Sequence, residues 1–177
     1  MAGEAGGRAL PLDVTDPASV AAFAAAAGAE VAVLVCHAGG ALGLGPVGEL
    51  DERDEERSRT LWETNVLGVT RCGQAFLPAL IAGGDGRVVV VTSVAGHQTY
   101  PGGAGYTGAK HAAAAWSTPC GWSCRAAGVY AGLTPLSADD VADAITWAVT
   151  RPPHVVAARI DLFPRDRASA RDAHRRP

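Results

Sequence analysis

Apolar residues follow two rhythms along this chain. Residues 8–14 (RALPLDV), 31–35 (VAVLV) and 87–92 (RVVVVT) are short, nearly continuous apolar runs. They are too short and too uniform for amphipathic helices, and they predict strands covered on both faces, as in a parallel sheet. The segments between them favour helix. Asp16-Pro17 opens an alanine-rich helix over 18–27, with Asp as N-cap and Pro at the first helical position, and Gly28 stops it. A long helix is predicted from Asp51 to about Ala82. Its first turns are acidic, its apolar face is Leu61, Val66, Val69, Phe76 and Leu80, and Gly83-Gly84 ends it. Helix returns from Tyr106 to about Ser117. A last helix runs to Val149, opened by Ser137 with Asp140 three residues on and ended by Pro152-Pro153. Strand alternating with helix predicts an α/β fold with a parallel sheet. Ligands of such sheets sit beyond the carboxyl ends of the strands, which directs attention to the loops after Val14, Val35 and Thr92.

Composition narrows the class. The 177 residues are 48% hydrophobic and 19% charged, which excludes a disordered or fibrous chain and suits one domain. No apolar run is long enough to span a bilayer, no signal peptide follows Met1, and a cytoplasmic protein is expected. A net charge of −3 gives no reason to expect nucleic acid. Residues 159–177 form an arginine-rich tail, read as solvated and mobile. The four cysteines are scattered, and Cys120 and Cys124 lack the spacing and the nearby histidine of a zinc site, so no metal is expected. The chain holds one lysine, Lys110, and one asparagine, Asn65, against a background rich in arginine and alanine.

Candidate chemistry gathers around that lysine. Ser93 ends the 87–92 run, where a reactive side chain would face the crevice. Tyr106 opens a helix thirteen residues later, and Lys110 follows one turn on. An i, i+4 pair shares a helix face, so the ammonium can approach the phenol and favour phenolate. Ser93 could hold a substrate oxygen while Tyr106 moves its proton, which is the acid–base half of carbonyl reduction or alcohol oxidation. Taken singly, Ser93 could equally be a strand terminator, Asn65 a helix-interior amide bonded to backbone, and Asp13 an ordinary cap. His97 and His111 are read as loop and helix-surface residues.

Ser93, Tyr106 and Lys110 at this spacing resemble the short-chain dehydrogenase/reductase family. Three further segments agree: LDVTD at 12–16, VCHAGG at 35–40 and TNVLG at 64–68. The resemblance implies NAD(P)-dependent hydride transfer on an incomplete Rossmann-like doubly wound sheet. It makes Tyr106 the acid/base and gives Lys110 the tasks of lowering its pKa and holding the nicotinamide ribose. Ser93 would position the substrate oxygen, and Asn65 would support a proton relay. Asp13 and Val14 would lie at the adenine, and Cys36, Ala38 and Gly39 at the close-approach turn along the cofactor. It also implies a small alcohol or carbonyl substrate and a homo-oligomer.

The chain departs from the family in two places. The first βαβ unit, with its TGxxxGxG turn, has no counterpart, and Cys36-His37 stands where the family has an Asn pair. After Lys110, residues 115–132 show no periodicity, so the strand that should follow this helix is expected to be missing. A reading-frame slip near Ala115 would explain this: in GC-rich codons, the shifted frame reads Leu-Val-Asp-Ala-Leu-Arg-Leu-Glu-Leu, a plausible family helix. Residues 133–155 resemble the NADP-dependent serine and 3-hydroxy acid dehydrogenases, which tips the expected cofactor from NAD toward NADP. The expected organisation is one partial domain over 1–158. The alternative is a catalytically inactive fragment or relic of such an enzyme, which could serve as an association partner of intact homologues.

Overall fold

The computed structural model describes residues 6–42, 46–84, 86–120, 123–126, 136–155, 157 and 159–162. The arginine-rich segment from 163 onward and residues 127–135 lie outside them. Three parallel strands form the sheet in the order β1 (Val33–Cys36), β2 (Arg87–Ser93) and β3 (Ser123–Ala126). Val33 pairs with Arg87 on one side of β2, and Ser123 with Val90 on the other. Every residue of β2 is buried, as its unbroken valine run predicts for a central strand.

Helix α1 (Pro17–Ala27) begins as expected, with the Asp16 carboxylate accepting the Ala18 N–H, and it closes on Gly28 at φ 88°. That positive φ suits glycine alone among ordinary residues. The long helix is continuous but not uniform. Helix α2 (Glu52–Trp62) starts with a reciprocal capping box between Asp51 and Asp54, passes through a π turn at Glu63–Leu67, and continues as α3 (Gly68–Ala82). Helix α4 (Ala104–Cys120) begins two residues before Tyr106. In α5 (Ala138–Val149) the expected Ser137–Asp140 capping box is complete.

One apolar cluster joins α1 and α3 to the sheet through Val20, Val69, Phe76, Leu80, Val88 and Val90. Phe23 meets Phe76 edge to face at 5.8 Å. A second cluster of Leu61, Val66 and Ala109 seats α4 against the long helix, with Tyr106 packed on it. Arg87 is buried at the start of β2, and its guanidinium donates to the carbonyls of Ala148 (3.3 Å) and Arg151 (2.6 Å). It thus adds side-chain donors to carbonyls at and just beyond the end of α5.

Three expectations are corrected. Residues 8–14 form no strand, because the described sheet ends at β1 and a strand needs a paired neighbour for its backbone. The segment is held instead by the Arg8 side chain on the Ala26 carbonyl and the Asp13 N–H on Ser19 Oγ. Second, β1 is not covered on both faces, and Val35 is 43% exposed. Third, the strand after the Tyr106–Lys110 helix is present as β3. The edge of β2 pairs with it through backbone groups, a demand that side-chain periodicity does not register.

Two glycines of similar composition sit in opposite environments. A Cβ at Gly96 would lie 2.9 Å from the Lys110 carbonyl oxygen, whereas one at Gly108 meets nothing within 4 Å. Gly96→Ala should therefore destabilise by about 1–3 kcal/mol through overpacking against backbone. Gly108→Ala, inside α4, should stabilise by about 0.5–1 kcal/mol by removing a helix-interior glycine. Urea unfolding of the two variants checks both signs.

Candidate active site

The carboxyl end of β2 delivers Ser93 into a buried position, 4% exposed, where its Oγ accepts the Ala95 N–H at 3.2 Å. That bond starts the 3-10 turn Val94–Gly96, which packs against α4. The close approach of Gly96 to the Lys110 backbone fixes the spacing between the Ser93 turn and the helix carrying Tyr106. The Tyr106 phenol lies close enough to Ser93 for the serine hydroxyl to draw its pKa down. Lys110 lies one turn further along α4, buried, with Nζ 5.8 Å from the Tyr106 ring centroid.

Asn65 is brought to the same place by the π turn. It is 1% exposed, and its Nδ2 donates to the carbonyls of Leu61 (2.9 Å) and Gly40 (3.1 Å). The first bond occupies a carbonyl of the same helix, and the second ties the helix to the loop after β1. Its Oδ1 has no partner among the described residues. Gly39 lies beside it: a Cβ there would come within 2.6 Å of Asn65 Oδ1 and 3.3 Å of Lys110 Nζ. The structure therefore gathers Gly39, Asn65, Ser93, Tyr106 and Lys110, drawn from four segments far apart in sequence.

The remaining predicted residues lie elsewhere. Val14, Cys36 and Ala38 line an apolar cavity of about 340 Å³ beside β1, α1 and α3, which none of Ser93, Tyr106 and Lys110 lines. Val14 is buried where Gly68 of α3 lets it approach, and its carbonyl accepts from Arg71 at 3.3 Å. Cys36 is buried and forms no disulfide among the described residues. Asp13 is exposed, and its carboxylate accepts the Thr15 N–H (2.9 Å) and hydroxyl (2.7 Å), bonds that hold it below the usual carboxylate range. Thr92, which sequence reasoning passed over, is buried at the same strand end, and its hydroxyl oxygen has no partner among the described residues. No group of three or more His, Cys, Asp or Glu gathers among the described residues, and no described helix is long and apolar enough to cross a membrane.

Burial dominates the electrostatics. It brings the Lys110 ammonium down to about 8, and it pushes the Tyr106 phenol above its ordinary value while the Ser93 hydroxyl pulls the other way. The i, i+4 spacing predicts that an adjacent cation favours phenolate, but desolvation sets the direction of the Tyr106 shift. The nicotinamide-ribose end of a dinucleotide fits this donor set: the unpartnered Asn65 oxygen, the buried amine and the bare Gly39 backbone leave polar groups facing a space without a side chain. Its pyrophosphate is less well served. The N-termini of α1, α2 and α5 are already capped by Asp16, Asp51 and Ser137, and α2 carries three acidic residues in its first turn.

The buried lysine gives a prediction with a definite sign. An unfolded chain, whose lysine titrates near 10.5, holds more protons than the folded chain between about 8 and 10.5, so Lys110 raises stability as pH climbs through that window. Tyr106, shifted upward, opposes this only above pH 10. Between pH 7 and 9.5 the wild type should gain on the order of 2 kcal/mol relative to Lys110→Met in urea unfolding. Parallel pH profiles for the two proteins would show the buried Lys110 ammonium losing its proton near pH 8.

Comparison with known proteins agrees with this geometry. The sequence profile described as short chain dehydrogenase matches residues 3–131. An uncharacterized oxidoreductase of Mycobacterium tuberculosis is 43% identical, over 67% of this chain and 59% of its own length. The NADP-dependent 3-hydroxy acid dehydrogenase of Schizosaccharomyces pombe is 29% identical over 94% of this chain and 76% of its own. Among solved structures, serine dehydrogenase from Escherichia coli superposes with a TM-score of 0.75 at 26% identity, covering 86% of this chain and 74% of that one. The chain thus spans about three fifths to three quarters of the length of these relatives. With a family profile matched over most of its length, and with Ser93, Tyr106 and Lys110 gathered at the end of a parallel sheet, the chain belongs to the short chain dehydrogenase family.

Proposed function

We propose that this chain carries the catalytic half of an NAD(P)-dependent oxidoreductase acting on a small alcohol or carbonyl compound. The observation that supports it most is the meeting of the unpartnered Asn65 oxygen and the buried Lys110 amine at Gly39, with Lys110 Nζ 5.8 Å from the Tyr106 ring and Ser93 buried at the end of β2. Tyr106 serves as the acid/base: its phenol gives a proton to the substrate oxygen in reduction and takes it back in oxidation. Ser93 holds that oxygen by its hydroxyl. Lys110 and the Gly39 backbone hold the nicotinamide ribose, and Asn65 links Lys110 to solvent through its carboxamide. A bound nicotinamide supplies or accepts the hydride.

Asp13 and Val14 are assigned to the adenine end, and Cys36 and Ala38 to the turn along the cofactor. Similarity to an NADP-dependent 3-hydroxy acid dehydrogenase and to serine dehydrogenase favours NADP and a 3-hydroxy acid such as serine. One domain over 1–158, homo-oligomeric assembly and a cytoplasmic setting belong to the same proposal. A second reading, an inactive chain that associates with intact homologues, is favoured by one observation: the apolar cavity beside β1, where Val35 stands exposed.

Steady-state turnover decides between them. NADP⁺ reduction with serine and NADPH oxidation with small 3-oxo acids should be measurable, and Tyr106→Phe should lower kcat/KM by about 10²–10⁴-fold. Turnover unchanged in Tyr106→Phe overturns the role of the phenol. A folded wild type with no turnover on any small alcohol or carbonyl compound favours the second reading.

A further inference from the structure

Two histidines 14 positions apart in sequence come together beside the site. His97 follows the 3-10 turn that begins at Ser93, and His111 lies on α4 next to Lys110. Their ring centroids are 6.3 Å apart with the planes inclined at 48°. Both residues are exposed. Neither belongs to the proton chemistry assigned above, and the sequence offered no reason to pair them.

The tautomer of His111 is fixed by its surroundings. Its Nδ1 lies 2.8 Å from the Thr107 carbonyl, a group that only accepts, so Nδ1 carries the proton and Nε2 presents a lone pair. Imidazole ligands of divalent transition metals take this form, one nitrogen donating to a backbone carbonyl and the other bound to the metal. The backbone between the two rings is held firmly. The turn carrying His97 packs on α4 through Gly96, whose Cβ position lies 2.9 Å from the Lys110 carbonyl oxygen, and the His97 N–H donates to the Val94 carbonyl at 3.0 Å. A tetrahedral ion with bonds of about 2.0–2.1 Å to two imidazoles places the ring centroids ~5 Å apart. The observed separation needs to close by roughly an ångström, which rotation of the exposed His97 side chain supplies.

We propose that His97 and His111 form a two-histidine site for a divalent transition metal ion of the zinc class, which clamps the turn after Ser93 to the helix bearing Tyr106 and Lys110. Imidazole nitrogen suits zinc, nickel and copper, and water completes the coordination shell. The ion acts as a cross-link between two elements and takes no part in hydride or proton transfer.

The test uses the full chain with Zn²⁺ alone, by calorimetric titration and thermal unfolding, alongside His97→Gln and His111→Gln. One ion per chain should bind the wild type and raise its Tm. Each single variant, folded by circular dichroism, should bind at least about tenfold more weakly and lose the Tm gain. Co²⁺ substituted for zinc should show ligand-field bands without intense thiolate charge-transfer absorption. No binding, loss in only one of the two variants, or a thiolate spectrum assigning the ion to cysteine would each overturn the proposal. Because the readouts are binding and stability, they stand apart from whether the chain turns over.

Discussion

Burying an amine and a carboxamide side by side, at the end of a strand built on four consecutive valines, is the constraint on which the rest of this structure depends. Lys110 and Asn65 are 7% and 1% exposed, beside the equally buried Ser93 and Thr92. Buried polar groups are tolerated when hydrogen-bonded and costly when not. Half of the Asn65 carboxamide is satisfied by the Leu61 and Gly40 carbonyls, and the other half is not. A residue held this way destabilises the free protein and is suited to a ligand that completes its bonding.

The surrounding architecture keeps that arrangement in place. The π turn at Glu63–Leu67 directs Asn65 toward the loop after β1, so the long helix gives up regular bonding at the point where the site needs a side chain. Gly96 sets the contact between the Ser93 turn and α4, and Gly39 keeps the space beside Asn65 and Lys110 free of any side chain. On the other side of the sheet's first strand the packing is looser. The cavity beside β1 and the exposed Val35 mark a region where apolar surface is left open, while the Ser93 end of β2 is closed and dense.

Much of this was legible in the sequence because the relevant signals are local. Asp16-Pro17 and Ser137 with Asp140 announce helix starts through chemistry confined to four residues, and the structure contains those caps. The valine run of β2 reports central burial directly. Ser93, Tyr106, Lys110 and Asn65 were found from spacing and scarcity, and the fold brings them together. What failed was non-local. Residues 8–14 have strand composition but no neighbour to pair with, and β3 has a neighbour but no strand pattern. The π turn depends on where one carboxamide finds its carbonyls. The upward shift of Tyr106 depends on desolvation by packed neighbours, which an i, i+4 spacing cannot convey. His97 and His111 meet only because Gly96 lets a turn settle on a helix.

Fluorescence titration of the purified chain with NADPH and NADH tests most directly whether this half-satisfied polar cluster is a cofactor site. Saturable binding that is lost when a Cβ fills the cradle in Gly39→Val, and weakened in Lys110→Met, is the predicted result. Absence of saturable binding by a folded wild-type chain, or binding indifferent to both substitutions, would contradict it.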